Sequence, residues 1–309
     1  MPRFALIVVF FFTPLFALEE EALVWEDAGP TAQEYNSYLL QAIKDEQWWA
    51  VIDYADIISY HFPTSPFAQD TSYLMGEAYF KLGQLELANE CFSAYLHNMT
   101  SLRHFNQAIE YKFAIAEQFY SGTRKPLFGS HKLPKIVSAK EDALKIYEEV
   151  IATMPNGELA AKSLINKARL ETEFEDYKPA LETLDVLIRR FPKHDLAAEA
   201  YLEKMKVYAK QCEGQDLDPD LLDLAEVNLT KFRLAFPREP RLGDAETVQR
   251  TMKERFAENL LTTGKFFEKT KKLPASLLYY KKVVSQFPDT EAAKEAQSAC
   301  ERIEPRDAR

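Results

Sequence analysis

Glycine is scarce in this chain, 9 of 309 residues, which weighs against a turn-dense β fold. No glycine-rich run able to cradle a phosphate occurs, and Gly76 and Gly83 lie in a helical stretch where packing accounts for them. Cysteine is rarer still. Cys91, Cys212 and Cys300 stand far apart, and none belongs to a C-x-x-C pair. That excludes a disulfide framework and a zinc-ligand pattern; Cys91, beside Phe92, reads as a small buried hydrophobe. The five histidines (His61, His97, His104, His131, His194) are dispersed and never form H-E-x-x-H. There is no Gly-x-Ser-x-Gly elbow. With no convergent constellation, the sequence predicts neither an enzyme nor a cofactor or metal site. Positive charge is also in deficit. A net charge of −10 makes nucleic acid a poor general partner. No apolar run reaches the roughly 20 residues a membrane-spanning helix needs.

The first residues read as an address. Arg3 precedes the apolar run 4–12; Thr13-Pro14 breaks it, and Ala17 closes it ahead of the acidic 18–21 stretch. A charged start, a short apolar core and a small closing residue predict a signal peptide over 1–17, with an N-terminal anchor as the alternative. An acidic, flexible segment is expected over 18–32. No cysteine lies near the junction to carry a lipid, so membrane association is expected to be indirect.

What the chain has in plenty is helical punctuation. An aromatic or Met followed by Pro recurs at Phe62-Pro63, Met154-Pro155, Phe191-Pro192, Phe236-Pro237 and Phe287-Pro288. Proline cannot continue a helix and constrains the residue before it, so each pair marks a helix end. Eight residues before these prolines lie Tyr147, Leu184, Leu229 and Tyr280; five before them lie Ile58, Val150, Leu187, Phe232 and Val283. Such offsets put apolar residues on one helical face. Five residues after Pro come Ala68, Ala160, Ala197 and Ala293, small enough to admit a close second helix. The unit is helix, short turn, helix, proline stop.

Its clearest copy runs Leu74-Met75-Gly76-Glu77-Ala78-Tyr79, then Lys81-Leu82-Gly83, Ala88, Phe92 and Tyr95, with Thr100 in the closing position. This resembles a tetratricopeptide repeat. Pro63 to Thr100 and Pro155 to Pro192 both span 37 residues; the spacings of 45 to Pro237 and 51 to Pro288 predict inserted loops or longer helices. The expected fold is all-α, a right-handed superhelical solenoid of about six helix pairs over 33–304, with pairs closing near 63, 100, 155, 192, 237 and 288. A terminal helix is expected over 290–303, a tail over 305–309, and loops over 121–130 and 214–219.

The segment 256–288 narrows this. Ala257-Glu258, the run Gly264-Lys265-Phe266-Phe267-Glu268-Lys269, and Ala275, Tyr279-Tyr280 and Val283 before Phe287-Pro288-Asp289-Thr290 resemble the BamD-like family of outer-membrane-protein assembly factors. Asp218-Pro219, Ala225, Phe232 and Phe236-Pro237 extend the resemblance, which covers roughly 140–300. It implies a non-catalytic scaffold, peripheral to the outer membrane in the periplasm. By the same resemblance, the C-terminal repeats would hold BamA-like periplasmic domains and the N-terminal repeats would receive unfolded outer-membrane protein precursors. Family members carry an Arg near the last proline stop; here Tyr279 and Tyr280 stand near that place, and Lys281 and Lys282 can supply the charge. Those four, with Trp48 and Trp49 among the N-terminal aromatics, are the candidate partner-binding residues. The alternatives are a CpoB-like adaptor for cell-wall or Tol functions, an envelope enzyme or carbohydrate-binding solenoid, and a cytoplasmic helical scaffold if 1–17 is not an export signal.

Overall fold

Each aromatic–proline stop lies just beyond a helix. The computed structural model describes residues 29–98, 103–126, 135–214 and 217–307. The expected signal peptide and most of the acidic segment lie outside those residues, as does the closing position at Thr100. Among the described residues, six helix pairs follow one another: α1 (Ala32–Lys44) with α2 (Trp48–His61), α3 (Thr71–Lys81) with α4 (Leu85–Asn98), α5 (Phe105–Tyr120) with α6 (Lys140–Thr153), α7 (Glu158–Glu173) with α8 (Tyr177–Arg190), α9 (Asp195–Gln211) with α10 (Asp220–Ala235), and α11 (Arg241–Lys269) with α12 (Leu273–Gln286). α13 (Glu291–Asp307) covers the end of the array. The chain is an all-α tetratricopeptide solenoid.

The stop works the same way in five pairs. Phe62, Met154, Phe191, Phe236 and Phe287 are the C-caps, each leaving the helical region before the proline. Their N–H groups donate to the carbonyls of Ile58, Val150, Leu187, Phe232 and Val283. Those are the apolar residues five before each proline, and all five are buried. One side chain thus anchors the core while its carbonyl closes the helix.

The turns within pairs also repeat. Glu46, Gly83, Gly122, Glu175 and Lys271 adopt positive φ, between 54° and 105°. The following N–H reaches back to the carbonyls of Ala42, Tyr79, Gln118, Glu171 and Phe267 respectively. This is the Schellman closure of a helix.

Between paired helices, a small residue on the first helix receives a ring from the second. A Cβ on Gly76 would lie 2.8 Å from Phe92 Cε1, and one on Gly264 would lie 2.6 Å from Tyr280 Cε1. Odd-numbered helices touch the next odd-numbered helix from α3 through α13, while the even-numbered helices are splayed apart. The array therefore bends with the odd helices on its inner wall.

Three expectations are corrected. The region expected as a loop over 121–130 holds β1 (Arg124–Pro126), which pairs antiparallel with β2 (Lys135–Ser138). β-Branched Val137 suits that extended ribbon; residues 127–134 lie outside the described residues. α13 continues to Asp307, into the expected tail. Helix begins at Ala32, inside the segment expected to be flexible, because Thr31 and Glu34 form a reciprocal capping box there. The two long spacings have different causes: a connection between α9 and α10 in one, the 29-residue α11 in the other.

Candidate functional site

The inner wall is polar, and its side chains are joined across helices. On α3 and α5, Tyr111 Oη donates to Glu77 Oε1 at 3.0 Å. Further along, the carboxylate of Glu117 on α5 accepts from Tyr147 Oη of α6 and from Asn166 Nδ2 of α7, the latter at 2.7 Å. Arg169 of α7 donates to Asn166 Oδ1 at 3.4 Å and to Glu199 and Glu203 of α9. Glu199 in turn faces Arg241 of α11 at 3.8 Å, and Arg241 also binds Asp195 and Glu239. One chain of hydrogen bonds and ion pairs so crosses five helices. Burial, reinforced by the Glu117 carboxylate it serves, pushes the Tyr147 phenol well above its ordinary range, so it stays a donor.

At the C-terminal end, α11 and α12 carry an aromatic and cationic cluster at the surface, its two stacked rings half-buried. Phe267 and Tyr279 stack with ring centroids 5.4 Å apart. Lys272 Nζ lies 6.0 Å from the Phe267 ring and Lys282 Nζ 5.5 Å from the Tyr279 ring. Phe266 is 59% exposed and Leu278 55% exposed beside them. Such an apolar surface with fixed cations suits a protein segment carrying carboxylates and apolar side chains. A cleft of about 590 Å³ opens nearby between α11 and α13, where Tyr280 Oη and Arg302 both bind Glu268.

The six candidate residues separate on this frame. Tyr280 is a correction: it is 1% exposed, packed on Gly264, and its phenol is pushed up to about 12 by burial and the Glu268 carboxylate. Its place eight residues before Pro288 is the packing position of every pair, so it serves the core. Lys281 is exposed and pairs with Glu304 of α13 at 2.8 Å. Tyr279 and Lys282 stand together at the surface cluster. Trp49 is 59% exposed, whereas Trp48 is half-buried in the core of the first pairs with Lys81 Nζ 6.0 Å from its ring. Trp49 and Tyr60, exposed and eleven residues apart, lie along one side of α2, and Tyr38 and Leu40 are exposed on α1.

A further series went unread in the sequence. Twelve residues after successive repeat ends lie Lys112, Lys167, Lys204 and Gln249. Each leaves an odd helix through the gap between even ones. Lys112 Nζ, buried, meets Asn89 Oδ1 at 2.8 Å, Ser93 Oγ at 2.6 Å and Glu149 Oε2 at 2.5 Å. Lys167 reaches Glu148 at 2.8 Å, Lys204 reaches Asp185 at 2.6 Å, and Gln249 reaches Glu226. Aligning the repeats on their prolines exposes the series; hydrophobic periodicity alone hides it, because a lysine interrupts the apolar pattern.

Comparison with known proteins finds two family patterns in the chain. A family described as outer membrane lipoprotein (YfiO) matches residues 135–304, more than half of the chain. The tetratricopeptide repeat family matches residues 70–98, the α3–α4 pair. No curated protein matches. Among solved structures, MamA from Desulfovibrio magneticus RS-1 is 16% identical, covering 69% of this chain and 98% of that one, with a TM-score of 0.35. A tetratricopeptide repeat protein from Parabacteroides merdae is 14% identical over 87% of this chain and 98% of that one, with a TM-score of 0.37. Among the described residues, no helix is long and apolar enough to cross a membrane.

Proposed function

The chain belongs to the YfiO outer-membrane-lipoprotein family, and from that premise we propose that it is a non-catalytic periplasmic scaffold of outer-membrane β-barrel protein assembly. The observation that carries the reading is the surface aromatic and cationic cluster on α11 and α12, within the family-matched part of the chain. Phe266, Phe267 and Tyr279 offer rigid apolar area, and Lys272 and Lys282 select an acidic neighbour. Its occupant is a periplasmic domain of a BamA-like barrel protein. Exposed Trp49 and Tyr60 along one side of α2 receive extended barrel precursors, whose alternating apolar side chains need such a surface.

The test is calorimetry between the chain from Leu18 onward and the periplasmic domains of the cognate BamA-like protein. Saturable binding of micromolar strength or tighter is expected. Lys282→Glu combined with Tyr279→Ala should weaken it by at least about tenfold. Trp49→Ala should leave it unchanged while reducing capture of an unfolded barrel precursor. Absence of binding by a folded chain, or binding indifferent to the Tyr279 and Lys282 changes, would remove this assignment.

A further inference from the structure

Between α7 and α9, the inner wall is tied by a guanidinium. Arg169 donates to Glu199 and to Glu203, the latter at 3.0 Å. Counted from the repeat ends at 63, 100, 155 and 192, the matching positions between α3 and α5 are Glu77 for Arg169, Gln107 for Glu199 and Tyr111 for Glu203. At this step a carboxylate stands where the cation would be. A cleft of about 490 Å³ opens there. Tyr73, Glu77 and Phe80 line it from α3, and Glu110, Tyr111 and Ala114 line it from α5. Each set is spaced three or four residues apart, so each occupies one face of its helix.

The lining holds two carboxylates and no lysine, arginine or histidine. Glu77 Oε1 accepts from Tyr111 Oη at 3.0 Å, which leaves its second oxygen over. Glu110 is exposed, and among the described residues no cation pairs with it. Tyr73 is only 6% exposed, yet among the described residues its hydroxyl has no hydrogen-bond partner. That oxygen is open to the cleft, unlike the enclosed oxygens of Glu171 and Asn228. Native structures leave few buried polar groups unpartnered. Burial pushes the Tyr73 phenol well above its ordinary range, and Glu77, Tyr111, Tyr95 and Glu110 add to the shift. The hydroxyl therefore faces both carboxylates of the cleft. Phe80 and Tyr111, both half-buried, meet edge to face at 5.0 Å and form an aromatic wall. Such a wall suits the methylene stem and the plane of an arginine, and five donors suit acceptors spread over several side chains. A lysine ammonium has no plane to lay on the rings.

We propose that the α3–α5 cleft receives an arginine side chain of a partner protein, its guanidinium lying on the Phe80–Tyr111 wall and donating to Glu77, Glu110 and the Tyr73 hydroxyl. The partner supplies from outside the cation that Arg169 supplies from within between α7 and α9. This rests on the reading that the chain binds proteins. It adds a site on the inner wall, outside the residues matched by the outer-membrane-lipoprotein family and apart from the α11–α12 cluster.

The test titrates the chain from Leu18 onward with N-acetyl-arginine methylamide, which carries one guanidinium and no other charge, and reads the Ala114 methyl signal by NMR. A saturable shift is expected. It should weaken by more than about tenfold when uncharged citrulline replaces arginine in the probe, and weaken as well with lysine there. Glu110→Gln, an exposed change that leaves the core alone, should weaken binding of the arginine probe by more than about tenfold. Tyr73→Phe keeps the ring, removes only the hydroxyl, and should weaken it too. No saturable shift, a citrulline or lysine probe binding as tightly as arginine, or indifference to Glu110→Gln would each overturn the proposal. The probe needs no partner protein, so its failure leaves the barrel-assembly reading standing, and failure of the BamA-type binding leaves the cleft standing.

Discussion

Tyr279 and Tyr280 are neighbours in sequence with different environments, and the difference can be measured. Tyr280 fills the groove over Gly264 and bonds Glu268, so Tyr280→Ala should cost about 3–5 kcal/mol by urea denaturation. Tyr279 is half-buried and stacked on Phe267, so Tyr279→Ala should cost less than Tyr280→Ala, about 1–2 kcal/mol, while weakening partner binding. Gly264→Ala reports the same contact from the other side: the added methyl meets a buried ring, for a cost of about 1–3 kcal/mol. Glu171 gives a pH-dependent signature. Its carboxyl is raised in the fold above the usual 4.5, chiefly by burial. A raised acid contributes stability that is complete below its unfolded value and is lost as pH rises through its folded one. Glu171→Gln cannot ionise and escapes that loss. The melting temperature of the variant relative to the parent should climb as pH rises above 4.5, then level off; a difference that stays flat from pH 4 to 8 would contradict the burial argument.

Helices were the most legible elements, because proline punctuation and apolar offsets are local signals. The closing residues at 63, 155, 192, 237 and 288 need nothing beyond the sequence, since the C-cap geometry follows from the proline itself. The left-handed turns were half legible. Gly83 announces one, whereas Glu46, Glu175 and Lys271 hold the same conformation with side chains that disfavour it. Tertiary packing of the two helices imposes that turn. Glu175→Gly and Lys271→Gly should therefore each stabilise by about 0.5–1 kcal/mol, the left-handed strain relieved less the entropy glycine gains on unfolding. Matching shifts in the urea midpoint would check this. The β1–β2 pairing was hidden by the Gly and Pro content of the sequence there, and the series from Lys112 to Gln249 needed an alignment of repeats rather than a reading of each. Glu254 was equally invisible: both its oxygens accept from the first N–H groups of α13, Glu291 N at 2.9 Å and Ala292 N at 2.8 Å. No local signal at Glu254 announces a cap 37 residues away. Glu254→Ala should cost about 1 kcal/mol, seen as early hydrogen exchange confined to α13.

At the scale of the whole molecule, a repeat array is held only by neighbour contacts, so its curvature is set by small choices between adjacent units. The inner-wall chain from Glu117 through Asn166, Arg169 and Glu199 to Arg241 ties α5, α7, α9 and α11 together, and Arg169 is its central link. Burial alone would depress the Arg169 guanidinium, but Glu203 and Glu199 more than offset it and hold the group charged. Arg169→Met keeps the stem and removes the fork. Glu203 retains Lys206 and Glu199 retains Arg241, so each helix pair keeps its own core and helix content by circular dichroism should not change. What goes is the tie between α7 and α9, and the inner wall should open, seen as a larger radius of gyration in solution scattering. The α11–α12 cluster and the Trp49–Tyr60 side of α2 lie at opposite ends of that array. A partner seated on the α11–α12 cluster alone should bind Arg169→Met as it binds the parent. A partner that grips both ends depends on their separation, and its effective concentration at the second end falls when the array opens. Unchanged affinity for the periplasmic domains together with weakened capture of a long barrel precursor would mean that the precursor spans the solenoid; equal affinity for both would mean that each end works alone.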